Sequence, residues 1–356
     1  LTINTERSGV YTSYQATNIS YSSAGRGVAG VVAIASAGTA NKVYTITTAA
    51  EAKSTFGDSN MAKIAEVLFK NGVYEIRAVP VFRYGSNNDP AAQTYANAFA
   101  RLVAVEEVQA IVCDSKLAAV HAALKTAILG ADNKNQFKLG IVECDDSSSD
   151  DMITYAGALN CERMVMVAPG ALDTDGNEAD CPLTAAAFAG AVLSERDPAI
   201  PMNGAELYGL GGISYSLSEN LINTLVRAGI SPVECVGGVT SIIRGVTTYT
   251  KDANGDSDPT WHELTTIRIV DNVIPEIRNS LKTMFARAKN TAQTRDAIRT
   301  QVVVMLEKKV ADEIIDSYGG VVVTQDENDP TVCNVSFDFA VVHGINKIIL
   351  TADITV

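Results

Sequence analysis

Over its last hundred residues the chain's apolar and polar positions form a strand-like stretch, a long basic helix and a final alternating strand. In Ile348–Val356, the apolar residues Ile348, Leu350, Ala352, Ile354 and Val356 alternate with Ile349, Thr351, Asp353 and Thr355. That is close to the period-two pattern of a half-buried strand. Chain ends fray unless something ties them down. A strand reaching the last residue predicts a partner, and that partner can lie in another subunit. The chain reads as one that assembles.

Upstream, strand and helix patterns alternate. Residues 1–25 are rich in Ser, Thr, Asn and Tyr and read as an extended arm. Gly27–Ser36 predicts a buried strand, Thr48 a helix start, Met61–Asn71 an amphipathic helix closed by Gly72, and Val73–Val81 a second strand. Arg83–Ala91 is a polar break that suits a domain boundary. Strands are then predicted at Val108–Cys113, Lys138–Cys144 and Arg163–Val167, and helices at His121–Leu129, Asp151–Leu159, Leu183–Leu193 and Asn220–Ala228. Such alternation predicts an α/β domain with a mainly parallel sheet. Beyond Cys235–Thr240 the pattern predicts strands at Val239–Tyr249 and Trp261–Val270, joined through a turn at Asn254-Gly255. Helix follows over Asp271–Phe285 and Thr291–Lys309, then strands at Gly320–Thr324 and Val332–Val342.

A chain of 356 residues has room for about two domains. With 47% hydrophobic and 19% charged residues it has the composition of a folded globular protein. The net charge of −13 argues against wrapping nucleic acid or coating an anionic membrane. There is no apolar run long enough to predict a transmembrane helix. Leu1–Ser8 lacks the layout of a secretion signal, so cytosolic folding is expected. The six cysteines include no CxxC pair and read as reduced core thiols.

Charge is unevenly placed. Ile277–Lys309 holds eight basic residues against the acids Asp296 and Glu307, a local +6 that leaves −19 elsewhere. Asp145–Asp180 holds nine acids against Arg163 alone. The basic segment can be a solvated face or a docking surface for an acidic partner; the acidic one reads as a solubilising outer face.

Catalytic and ligand-binding patterns are weak. His121, His262 and His343 lack neighbours with metal-site spacing, and there is no GxSxG elbow. Gly209-Leu210-Gly211-Gly212 has neither dinucleotide nor Walker spacing and reads as a tight turn. Asp173–Glu178 opens like a calcium loop, but its twelfth position is Thr184 rather than Glu, which favours a solvated turn.

The C-terminal block resembles contractile tail sheath proteins of bacteriophages, R-type bacteriocins and related injection machines. The residues that carry this are Ser241–Tyr249, Glu263–Asp271, Arg287–Thr291, Phe337–Gly344 and Leu350–Val356. Arg7–Tyr11 is similar to the family's PGVY-like opening, with Ser8 in place of the usual Pro. The resemblance is carried by residues 237–356 and 1–85, and the middle of the chain is where such proteins vary.

The resemblance implies an α/β (α+β) protein in four parts. Residues 1–25 would be an N-terminal arm, 26–85 with 237–344 an inner sheath domain, 86–236 an inserted outer α/β domain, and 345–356 a C-terminal arm strand. It implies a structural subunit with no catalytic role and no cofactor. Stacked hexameric rings would surround an inner tail tube, with baseplate and tail terminator proteins as further partners and no nucleic acid or membrane insertion. The expected place is the tail of a virion or bacteriocin particle, assembled in the bacterial cytoplasm. Expected contacts between subunits are Val10, Tyr11, Ile348, Leu350, Ala352, Ile354 and Val356. Expected tube-facing residues are Arg278, Lys282, Arg287, Lys289, Arg295 and Arg299. Two other readings stand beside it: a cytosolic α/β enzyme with a nucleotide site near Gly209–Gly212, and a non-contractile shell or filament protein.

Overall fold

The computed structural model describes residues 27–83, 89–132, 136–144 and 148–346. Elements in chain order are β1 (Val28–Ile34), β2 (Tyr44–Ile46), α1 (Ala49–Phe56), α2 (Asn60–Lys70), β3 (Glu75–Val81), α3 (Ala92–Val103), β4 (Val108–Cys113), α4 (Ala118–Asp132), β5 (Leu139–Glu143), α5 (Ser149–Leu159) and β6 (Met164–Ala168). Next come β7 (Ala171–Leu172), α6 (Leu183–Ser194), β8 (Glu206–Leu207), β9 (Gly212–Ile213), α7 (Glu219–Arg227), β10 (Ile230–Val236) and β11 (Val239–Ile242). The last are α8 (Leu264–Phe285), α9 (Ala292–Ala311), β12 (Ile315–Gln325) and β13 (Cys333–Val341).

Nine strands form one mixed sheet in the order β2-β3-β1-β4-β5-β6-β10-β11-β8. The six from β3 to β10 run parallel, and β2, β11 and β8 pair antiparallel at the two ends. Parallel strands need both faces covered, and β1 shows how this is met. Ala29, Val31 and Ala33 point into a core built with α1, α2 and α6, while Val28 and Val32 point into one built with α3, α4, α5 and α7. Helix α6 is buried from Leu183 to Leu193. The sheet's outermost strands are short: β2 has three residues and β8 two.

The expected boundary at residues 85–86 falls between β3 and α3. Because β1 pairs with both β3 and β4, residues on either side of it share one sheet, as do residues 239–242 in β11. A separate core lies further along the chain, where Ile269, Val273 and Ile277 of α8 meet Val302 and Leu306 of α9 and Ile315 of β12. We call the sheet and its helices the body, and α8, α9, β12 and β13 the C-terminal module.

Helix starts follow local chemistry. The Thr48 and Thr291 side chains accept from the backbone N–H of Glu51 and Thr294, the N-cap arrangement that satisfies otherwise orphaned donors. Gly72 follows α2 with φ +88°, as a C-terminal glycine should.

Two sequence expectations need correction. Trp261–Val270 is not a strand, because α8 begins at Leu264. Val239–Tyr249 is a strand only to Ile242. Beyond it the backbone is held by single bonds, Thr247 N–H to the His262 carbonyl and Thr248 N–H to the Met164 carbonyl, each 2.8 Å.

Candidate assembly surface

The β12–β13 hairpin is the most exposed sheet in the structure. Along β13, half-buried Val335, Phe337, Phe339 and Val341 alternate with exposed Asn334, Ser336, Asp338 and Ala340. The inward row packs toward α9, where Ile298, Val302, Leu306 and Lys309 make one buried stripe. Phe337 and Phe339 stack with centroids 6.3 Å apart. A lone two-stranded sheet is marginal in water, and this one gains its stability by lying on a helix. Among the described residues no third strand pairs with the outer edge of β12 or β13. Each edge therefore offers a row of backbone donors and acceptors to an incoming strand.

A bulge shapes the β12 edge. Gly319 pairs with Asp338 and Val322 with Ser336, so Gly320 and Val321 face Phe337 together. Gly320 takes φ +54° and lies against the Asp338 carboxylate. The Val321 carbonyl accepts from Arg299 Nε at 3.1 Å. Val322, next along, is 50% exposed.

The predicted basic residues divide into three places. Arg295 and Arg299 tie α9 to its surroundings: Arg295 Nη1 donates to Asn290 Oδ1 at 2.8 Å and lies 3.4 Å from Gln325 Oε1, and Arg299 reaches the bulge. Arg278 is half-buried with its guanidinium 5.6 Å from the Phe137 ring, at the junction with the body. Lys282, Arg287 and Lys289 are exposed at the end of α8 and in the connection to α9, around Met284, which is 59% exposed. Val10, Tyr11, Ile348, Leu350, Ala352, Ile354 and Val356 lie outside the described residues. The last described turn, at Gly344–Asn346, meets the body: Gly344 packs on Pro201, and Asn203 Nδ2 donates to Asn346 Oδ1 at 2.8 Å.

The glycine run at 209–212 is used for packing within the chain. Gly211 lies against the Asp173 carbonyl, Gly209 (φ +83°) against the Lys70 side chain, and Gly212 enters β9, which pairs with β7. The end of the sheet where a parallel fold would hold an anion is occupied by the protein's own carboxylate. Glu143, 1% exposed at the end of β5, accepts from the Thr184 N–H at 2.9 Å and the Ala185 N–H at 3.4 Å, at the start of α6. Lys116 Nζ lies 2.9 Å from the other Glu143 oxygen. A charged acceptor suits a helix N-terminus. The sequence predicts only a strand over Lys138–Cys144, and a carboxylate inside that largely apolar run is the signal that marks this contact.

Asp173 Oδ1 accepts from the N–H groups of Asp175 and Asn177 at 2.9 Å, which makes the calcium-like motif an exposed turn. Among the described residues no group of three or more metal-ligating side chains converges, and no helix is long and apolar enough to cross a membrane.

This fold is shared with tail sheath proteins, and the chain resembles contractile tail sheath proteins in both sequence and architecture. Residues 256–355 match the family described as phage tail sheath C-terminal domain. The tail sheath protein of Bacillus phage SP01 is 26% identical over 252 residues, covering 68% of this chain and 42% of the relative, so the chain spans about two fifths of that curated relative's length. The helical sheath of the anti-feeding prophage in its contracted state superposes with TM-score 0.72 at 15% identity, over 98% of this chain and 99% of that one. The sheath tail protein of Desulfitobacterium hafniense superposes with TM-score 0.70 at 13% identity, over 94% and 100%.

Proposed function

We propose that this chain is a structural subunit of a contractile tail sheath, without enzymatic activity. Copies polymerise as stacked hexameric rings around an inner tube. The sheath then shortens and widens to drive the tube through a target envelope. The observation that carries this reading is the β12–β13 hairpin, a two-stranded sheet whose outer edges take no third strand among the described residues, in the region similar to the sheath C-terminal domain. Arms from neighbouring copies, residues 1–25 and 345–356, would add strands to it. An arm making about five main-chain hydrogen bonds gains about 1 kcal/mol net from each. That is modest for one arm and decisive when repeated through a lattice. The arms stay paired while the globular bodies rotate, so the mesh works as a hinge, and the work of contraction comes from converting one lattice into a better-packed one.

In this arrangement Lys282, Arg287 and Lys289, exposed at the end of α8 and beyond it, face an acidic inner tube. Exposed pairs contribute about 0–1 kcal/mol each, so many copies hold the tube and still let it go. Baseplate and terminator proteins bind the ends of the cylinder. The particle is a phage or bacteriocin tail assembled in the bacterial cytoplasm.

Electron microscopy of the chain expressed alone tests the reading. Rings or hollow tubes are expected, and deletion of residues 345–356 should leave monomers or short fragments. A full-length chain that stays monomeric at high concentration would overturn it.

A further inference from the structure

The C-terminal module meets the body largely through α8, and the two halves of that helix touch the body with different chemistry. Leu264, Arg268, Asp271, Pro275 and Arg278 follow one another at spacings of four, three, four and three, which places them on one stripe. Leu264 and neighbouring Ile267 belong to the body's core, while Ile269, Val273 and Ile277 belong to the module's. The helix is sandwiched between two cores, and its body-facing stripe starts apolar and turns charged.

The first half is a fixed grip. Arg268, buried, donates to the Glu195 carbonyl at 2.8 Å and lies 3.4 Å from the carbonyls of Val192 and Ile200, around the C-terminal end of α6. A cation there complements the helix dipole. On the second half, Asp271 takes both prongs of the Arg163 guanidinium, at 2.9 and 3.0 Å. Arg163, 3% exposed just before β6, also holds its Nε 2.9 Å from Asp132 Oδ1 at the end of α4. The Phe137 ring lies 4.8 Å from Arg163 and 5.6 Å from Arg278, so one aromatic joins a cation of the body to a cation of the module. Between Asp271 and Arg278 sits Pro275, which removes the helical bond to the Asp271 carbonyl and weakens α8 at that turn.

We infer that Leu264–Arg268 is a pivot and that Arg163, Asp271, Phe137 and Arg278 form a releasable latch, letting α8 carry the module between two orientations on the body. An apolar stripe would weld the helix along its whole length. A two-pronged ion pair with a buried guanidinium and a half-buried carboxylate fixes one angle sharply, yet contributes little net free energy, because desolvation offsets most of the attraction. Opened as a pair, both groups regain water. What this motion is used for rests on the sheath reading, since the module carries the open hairpin. The latch itself belongs to the single chain.

Hydrogen exchange read by mass spectrometry on dilute full-length protein tests it. In Arg163→Met, amides of residues 271–278 should exchange at least about tenfold faster, while those of residues 264–268, β1, β5 and α9 keep wild-type rates. Arg163→Lys, which keeps the charge and loses the fork, should show the same pattern more weakly. Arg163→Met with Asp271→Leu should restore slow exchange by making the contact apolar. Uniformly faster exchange throughout the chain, or no change at 271–278, would overturn the latch. Polymer formation, scored separately by microscopy, bears on the sheath reading and leaves the exchange result standing.

Discussion

The carboxylate of Glu143 accepts the backbone N–H of Thr184 at 2.9 Å, so a side chain from β5 closes the N-terminus of the buried helix α6. Removing it strands two helix donors in a buried site and takes away the carboxylate beside the partly exposed Lys116 ammonium. Glu143→Ala is expected to cost about 3 kcal/mol, within the range for breaking a buried charged contact. Glu143→Gln keeps an acceptor and should cost less. Lys116→Ala should cost least, because that side chain is 31% exposed. Urea unfolding of the three variants should give that order.

Gly320 is expected to be intolerant of a side chain. Its φ of +54° costs an L-residue about 1–2 kcal/mol, and its Cβ would displace the Asp338 carboxylate. Gly176, at φ +83° with open space around its Cβ position, isolates the backbone part of that cost. Gly320→Ala should reduce polymer yield by sedimentation while far-ultraviolet circular dichroism of the body stays native. Gly176→Ala should leave polymer yield intact.

Stability should depend on pH through His121. Burial pushes this imidazole down to about 4, although its Nε2–H bonds to the Ser115 carbonyl at 2.8 Å. The unfolded chain, with a value near ~6.5, takes up the proton first as pH falls. The contribution is therefore complete above about 6.5, declines on acidification and is gone once pH passes about 4. Between pH 7.5 and 5.5 the wild type should lose about 1 kcal/mol more than His121→Gln, read by denaturant titration at both values. Equal losses would show that other groups set the acid response.

Under the proposed function, Arg287→Glu with Lys289→Glu should impair assembly of an extended sheath on an inner tube and spare self-polymerisation. Both residues are exposed. Co-expression with the tube protein, imaged by microscopy, separates the two outcomes. Equal loss of both would show that these residues serve packing between sheath copies.

The alternating strands and helices of the body were legible because each buried strand reads as a short apolar run and each helix shows one apolar face. Helix α8 was misread over Trp261–Val270 for a physical reason. It is buried on two sides, with Ile267 in the body's core and Ile269 in the module's. Residues two apart are then both apolar, which imitates the period of a strand. The end of β11 at Ile242 was also hidden, since Gly245 and Thr247–Thr248 make their backbone hydrogen bonds outside any ladder. For the assembly surface, the strands of the hairpin were visible in the sequence. Its bulge was not, because that depends on which residue faces Phe337. Nor does residue type alone reveal that Arg295 and Arg299 are engaged by α9's surroundings and the hairpin while Arg287 and Lys289 stay in solvent.

The large sheet ends in strands of three and two residues. Margins so short give a stray segment almost nothing to zip against, so unwanted side-to-side joining through the body is discouraged. Under the proposed function, backbone pairing between molecules would be steered instead to a small ledge on one flank, which would keep a growing cylinder from branching.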